Sequence, residues 1–233
     1  MEGSVRASIR GKKLLDSQRK DLLWLLNVLR GISAILIVLY HYTVQYEKSI
    51  GHIQPYTITV PWGCNAVYTF FILSGYLAVY TCKKNTTARG FLKKRFLKLY
   101  PMFWICMSVT TVYMFLIMPG RLPSLKQFFV NITMMPSLFN VEAVDGVYWT
   151  LIKEIMFYLG FALVIKITGV NSKKWLWIWF GITTLCAIYS NGPIDFPGSG
   201  KLAQILIPDY AFTFLAGSAV FYFQKAESKK EKW

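Results

Sequence analysis

Three ionisable residues sit in apolar surroundings along this 233-residue chain: Arg30, His41 and Glu154. Arg30 and His41 both belong to Leu22–Tyr42, a run dominated by Leu, Ile, Val and Ala. A charged side chain in such a run is expensive to keep out of water, so each is a functional candidate by default. The two are eleven residues apart. At about 100° per residue, eleven steps overshoot three turns by about 20°, so both fall on one helix face, about 16 Å apart along the axis. Asn27, Ser33, Ala34 and Ile37 share that edge, and Leu25, Leu29, Ile32, Leu36 and Leu39 form the opposite stripe. The pattern predicts a helix that turns a polar edge to other helices and an apolar one to lipid. His41 brings an imidazole, the side chain most often used as a general acid or base. A plainer reading pairs Arg30 with a carboxylate and leaves His41 at the membrane interface.

Glu154 follows Lys153 near the start of Tyr148–Thr168. It is expected about 9 Å below that helix start, at a depth between His41 and Arg30. There it could orient the imidazole or pair with Arg30. Lys153 points about 100° away and can snorkel outward. A third constellation is Lys93-Lys94-Arg95-Phe96-Leu97-Lys98-Leu99-Tyr100-Pro101. Arg95 and Lys98 are three apart and would face one way on a helix, which suits phosphate. Such a run also serves as a positive anchor against anionic lipid.

The elements that position these residues follow from length and charge. A bilayer core needs about 20 apolar residues per helix. Leu22–Tyr42, Gly63–Thr81, Leu99–Met118, Tyr148–Thr168 and Lys201–Phe223 meet or approach that, and Trp175–Ser190 is a shorter sixth with interfacial tryptophans. With the N-terminus inside, the inner segments hold twenty Lys and Arg and the outer loops three. That bias predicts an all-α, six-span protein of the plasma membrane with both termini cytoplasmic. Residues 1–21 form a basic cytoplasmic segment, 22–223 the membrane domain and 224–233 a basic tail. The first apolar stretch reads as an uncleaved helix rather than a signal peptide. The outer loop Pro119–Val147 contains Ser124–Phe139, expected to be interfacial or re-entrant.

The net charge of +15 is topogenic on this reading, which argues against a nucleic-acid partner. The four cysteines, Cys64, Cys82, Cys106 and Cys186, form no CxxC pair and read as buried free thiols, with no metal site. His52 is expected to be an ordinary surface histidine.

Four blocks together resemble the acyltransferase-3 family of polytopic bacterial membrane enzymes. Arg30-Gly31-Ile32-Ser33-Ala34 with His41 is similar to its Arg-to-His motif in the first helix. Phe70-Phe71-Ile72-Leu73-Ser74-Gly75-Tyr76-Leu77 resembles its FFxLSGF block, and Lys94 to Pro101 its RRxxRIxP block. Asp145-Gly146-Val147-Tyr148-Trp149-Thr150-Leu151, running into Glu154, Phe157 and Tyr158, looks like its WSLxxExxFY block. The resemblance implies O-acyl transfer, usually of acetyl from acetyl-CoA, to a hydroxyl of a cell-surface or exported glycan. It implies His41 as catalytic histidine, Arg30 as its motif partner and Glu154 as the motif acid. It implies that Arg95, with Lys98 and Lys94 beside it, binds the donor's phosphates. Here the second arginine of the basic pair is Lys98, which keeps the charge but loses the planar fork. Family members also carry more membrane helices than the six read here, consistent with a truncated product, a compact member, or one needing a partner subunit or homo-oligomer.

On this view the pantetheine arm runs up the polar face past Arg30, and His41 acts as general base on the acceptor or as an acyl-accepting nucleophile. Two other classes compete. One is a non-enzymatic membrane subunit of glycan processing, which activity of the isolated chain would exclude. The other is a small proton-coupled transporter, for which intramembrane Arg, His and Glu are also suited.

Overall fold

The computed structural model describes residues 2–49, 51, 58–83, 85–169, 174–190 and 208–230. All regular structure among them is helical. In chain order the helices are α1 (Glu2–Tyr40), α2 (Tyr46–Ser49), α3 (Ala66–Tyr80), α4 (Ala88–Ile117), α5 (Leu125–Asn131), α6 (Trp149–Thr168), α7 (Lys174–Ser190) and α8 (Pro208–Lys230). A π-helical segment, His41–Gln45, joins α1 to α2, and a 3-10 turn, Pro61–Asn65, leads into α3. Each of the six expected segments lies on one of these helices, although Lys201–Phe223 is described only from Pro208. His52 lies outside the described residues.

Among the described residues, three stretches are long and apolar enough to cross a membrane: Lys20–Lys48, Pro61–Tyr80 and Ala88–Ile117. Only 11% of the apolar window is buried in the first and in the third, against 56% in the second. The long α1 and α4 therefore present most of their apolar surface outward, as lipid-facing helices do. Met102, Ile105, Val109, Val112 and Leu116 make such a face on α4. The other three segments fall short for visible reasons. Lys153, Glu154 and Lys166 interrupt α6, α7 has 17 residues, and the described part of α8 ends in a polar tail. The helix through Arg30 also begins well before Leu22, because residues 2–21 contain good helix formers and no proline.

The chain divides into two compact units, Met1–Leu73 and Ser74–Trp233. In the first, the 3-10 turn packs on α1 at Gly63. A Cβ there would strike the carbonyl oxygen of Leu36 and lie 3.0 Å from the Cβ of Tyr40, so only glycine lets the two backbones approach. The Thr43 hydroxyl donates to Leu39 O at 2.6 Å and accepts from Val60 N at 3.2 Å, which ties the returning chain to the π-segment.

The second unit is built on an aromatic spine. Phe157 of α6 stacks on Phe214 of α8 with centroids 4.3 Å apart, and Phe161 meets Trp175 of α7 edge to face at 5.1 Å. Phe91 of α4 closes on Phe161 at 5.2 Å. Such pairs add about 0.5–1.5 kcal/mol each beyond area burial. Gly160 accommodates the ring of Trp179, and Gly75 meets the backbone of Phe214. The Ser218 hydroxyl donates to Gly75 O at 3.0 Å across that contact.

The segment expected to be interfacial or re-entrant forms the short α5 and a 3-10 turn, Pro136–Phe139, neither long enough to span. Its organiser is Asn131, whose amide donates to Gln127 O at 2.8 Å and Glu142 O at 2.9 Å while its carbonyl accepts from Val144 N at 3.1 Å. Tyr100 and Trp104 of α4 donate to Thr133 O and Ile132 O at 2.9 and 3.0 Å, fastening the loop to that helix.

Candidate functional site

The first unit holds Arg30 and His41. The α-helix runs unbroken to Tyr40, so the shared face expected from the sequence carries through to His41, the first residue of the π-segment. Both side chains are half-buried, Ser33 between them is buried, and Leu25, Leu29, Ile32 and Leu39 on the other stripe are exposed. The Tyr40 ring meets His41 edge-on at 5.5 Å, and the Tyr40 hydroxyl donates to Gln45 Oε1 at 3.2 Å. A π-turn widens the helix by one residue per turn, and such turns are frequent at functional sites. Here it re-aims the residues that follow His41, and nothing in the sequence announces it.

The second unit holds Glu154. Its Oε1 accepts two hydroxyls, Ser74 Oγ at 2.6 Å and Tyr158 Oη at 2.6 Å. Both distances are at the short end of the range for O–H···O hydrogen bonds. Tyr158 stands one turn below Glu154 on α6, and Ser74 comes from α3. The carboxylate is thus pinned from two helices.

Arg95 sits on the far side of Tyr158. Its guanidinium lies 4.8 Å from the centroid of the Tyr158 ring and 5.1 Å from that of Phe91. Its Nη2 donates to Leu77 O at 2.9 Å and Thr81 Oγ1 at 2.8 Å, where α3 ends. The sequence placed Arg95 in a phosphate-facing pair with Lys98, but only 7% of the residue is exposed. Lys94 and Lys98 are exposed, on the first turns of α4. The inward stripe of α4 advances by fours, through Phe91, Arg95, Phe103 and Met107, and Lys98 falls beside it. Thr87 starts this helix by accepting from Gly90 N at 3.1 Å. Just beyond α3, burial pushes the Cys82 thiol up to about 11 against the opposing pull of Arg95 and Lys94. Cys64 and Cys106 are exposed rather than buried, and all three described cysteines are free.

Sequence reasoning named Ser74 and Tyr158 within two matched blocks but gave neither a role at the site. A signal existed for both. Tyr158 is four residues from Glu154, the spacing of helix neighbours, and Ser74 is a polar residue in an apolar block.

Apolar helices of membrane length that carry Arg30, Ser74 and Arg95 mark a membrane protein, in which such residues are functional candidates by default. A family model described as "Acyltransferase domain" matches residues 23–233, and the chain belongs to this acyltransferase-3 family. It is similar to "Acyltransferase MdmB" of Streptomyces mycarofaciens, 22% identical over 186 residues, which cover 75% of this chain and 48% of that protein. The chain spans about half the length of that relative. No solved structure matches it.

Proposed function

We propose that the protein is an integral membrane O-acyltransferase that moves an acyl group, acetyl from acetyl-CoA, to a hydroxyl of a cell-surface or exported glycan. The observation that carries this reading is the family match across residues 23–233, which takes in every candidate residue. The chain crosses the plasma membrane six times with both termini in the cytoplasm, as its charge distribution favours. Arg30, His41 and Glu154 are the residues put forward as catalytic. His41 takes the proton of the acceptor hydroxyl, the hydroxyl oxygen bonds to the thioester carbonyl carbon, and the carbon–sulfur bond breaks. The departing thiolate of CoA recovers the proton. General-base help of this kind is worth about 10²–10⁴-fold in rate. An alternative with the same residues makes His41 the first acyl acceptor, which trapping an acyl-imidazole would establish. The exposed Lys94 and Lys98 meet the donor's phosphates, and Arg95 belongs to the same basic run.

The test is the O-acetyl content of surface polysaccharide in a strain lacking the gene, complemented with the natural chain or with His41→Ala at matched expression. Restoration by the natural chain alone supports acyl transfer through His41. Restoration by both, or by neither, overturns it.

A further inference from the structure

We infer that Ser74, Tyr158 and Arg95 form a positioning relay for Glu154, and that Arg95 acts on the reaction through Tyr158 rather than by holding the donor's phosphates. The inference rests on the acyl-transfer reading for the identity of the reaction, and on geometry for everything else.

Glu154 receives both hydroxyls on one oxygen, Oε1, each at 2.6 Å. Two donors on one oxygen fix the plane and position of the carboxylate. Oε2 is the oxygen offered to the reacting groups. The two donors come from different helices, α3 and α6, so the carboxylate is held only while those helices keep their register. Arg95 supplies that register. Its Nη2 caps the carbonyl of Leu77 and the hydroxyl of Thr81, and the Thr81 hydroxyl itself donates to Leu77 O at 2.7 Å. A cation at a helix C-terminus also complements the helix dipole.

The same guanidinium lies 4.8 Å from the centroid of the Tyr158 ring. A cation against an aromatic face draws electron density from the ring and makes its hydroxyl a stronger donor. Arg95 thereby gives Glu154 a counter-charge at one remove, through Tyr158. Phosphate binding would need the guanidinium at the surface. Only 7% of Arg95 is exposed, while Lys94 and Lys98 of the same run are exposed.

The experiment uses the full chain in proteoliposomes with acetyl-CoA and a hydroxyl acceptor. Initial rates are taken across donor concentration for the natural chain, Arg95→Lys, Tyr158→Phe and Lys98→Ala. In parallel, the infrared carboxylate band that disappears in Glu154→Gln is followed in Arg95→Lys and Tyr158→Phe. Misplacement of a reacting group by an ångström can cost about a hundredfold. Arg95→Lys and Tyr158→Phe are therefore expected to lower kcat by about ten- to a hundredfold with little change in donor KM. Both should shift the Glu154 band, and Lys98→Ala should raise donor KM instead. An Arg95→Lys variant that keeps kcat and raises donor KM as Lys98→Ala does overturns the relay. So does an unmoved Glu154 band in Tyr158→Phe. If the natural chain transfers no acyl group, the functional reading fails, and the infrared band alone decides the relay.

Discussion

Gly75 is where α3 and α8 touch, and Gly75→Ala should destabilise the second unit out of proportion to one methyl group. A Cβ at this position would lie 2.7 Å from the carbonyl carbon of Phe214 and 2.9 Å from its Cα, with the carbonyl oxygen nearer still. Carbon atoms rest at about 3.5–4.0 Å and the nearer carbonyl oxygen sets the limit, so α8 must withdraw by more than about 1 Å. The obstacle is backbone, and no rotamer change relieves it. Withdrawal stretches the bond from Ser218 Oγ to Gly75 O, now 3.0 Å, and pulls Phe214 from its stack on Phe157. Overpacking costs about 1–3 kcal/mol and a weakened hydrogen bond about 0.5–1.5, which together give about 2–4 kcal/mol. For a chain of this length each kcal/mol moves Tm by about 2–4 °C, so a fall of about 5–15 °C is expected. Thermal unfolding of the purified chain in detergent, followed by circular dichroism, measures it. Gly31→Ala is the control, since no heavy atom lies within 4 Å of its added Cβ and alanine is the better helix former. Gly75→Ala melting within about 1 °C of that control would refute the close-packing argument.

Asn131→Leu should loosen the loop between α4 and α6, because it orphans Val144 N and removes the donor to Gln127 O and Glu142 O. The loss is about 2–4 kcal/mol, read as faster amide exchange at Val144, and unchanged protection there would count against it. Lys98→Ala should raise the donor concentration needed for half-maximal rate several-fold, an effect that added salt diminishes; a donor dependence like the natural chain's would remove Lys98 from the phosphate site. Cys82 should react with maleimide ever faster as pH rises toward about 11, since burial keeps its thiol protonated. The sign for stability follows: the folded chain holds this proton at pH values where the unfolded chain has released it, so raising pH from the ordinary thiol range toward about 11 favours unfolding. A labelling rate that levels off near pH 8 in a chain whose only cysteine is Cys82 would contradict this.

What was legible in the sequence was set by composition over long windows. Runs of apolar residues located the helices, because a bilayer demands length and a helix supplies it at a fixed rise. The polar edge of α1 was legible for the same reason, since Arg30, Ser33 and His41 repeat with the helix period. What escaped depends on contacts between segments far apart in the chain. The π-segment at His41 has no composition of its own. No local pattern marks Asn131, yet its amide is the buried centre of a loop. Ser74 and Glu154 are eighty residues apart, and only the packing of α3 on α6 makes them partners. The helix α1 also runs past its apolar part, because residues 2–21 hold no proline to break it.

The basic run shows how one helix separates two roles that a spacing rule joins. Arg95 and Lys98 are three residues apart and share a rough direction, so sequence logic gives them one ligand. The inward stripe of α4 steps by four from Phe91 to Arg95, and a residue three further on turns about 60° the other way, about 100° from the next step of four. Arg95 is therefore enclosed and Lys98 exposed. Their chemistry matches their places. The enclosed position asks for a planar group that donates in its own plane to Leu77 O and Thr81 Oγ1 while its face lies on Tyr158, and only guanidinium does both. The exposed position asks for positive charge toward an anion, which the ammonium of Lys98 supplies without a fork. The lysine at the second basic position thus leaves the planar task untouched. Restoring arginine there, Lys98→Arg, should tighten donor binding by several-fold and leave kcat unchanged, as measured by initial rates across donor concentration. A change in kcat with constant donor KM would instead place Lys98 in the relay beside Arg95.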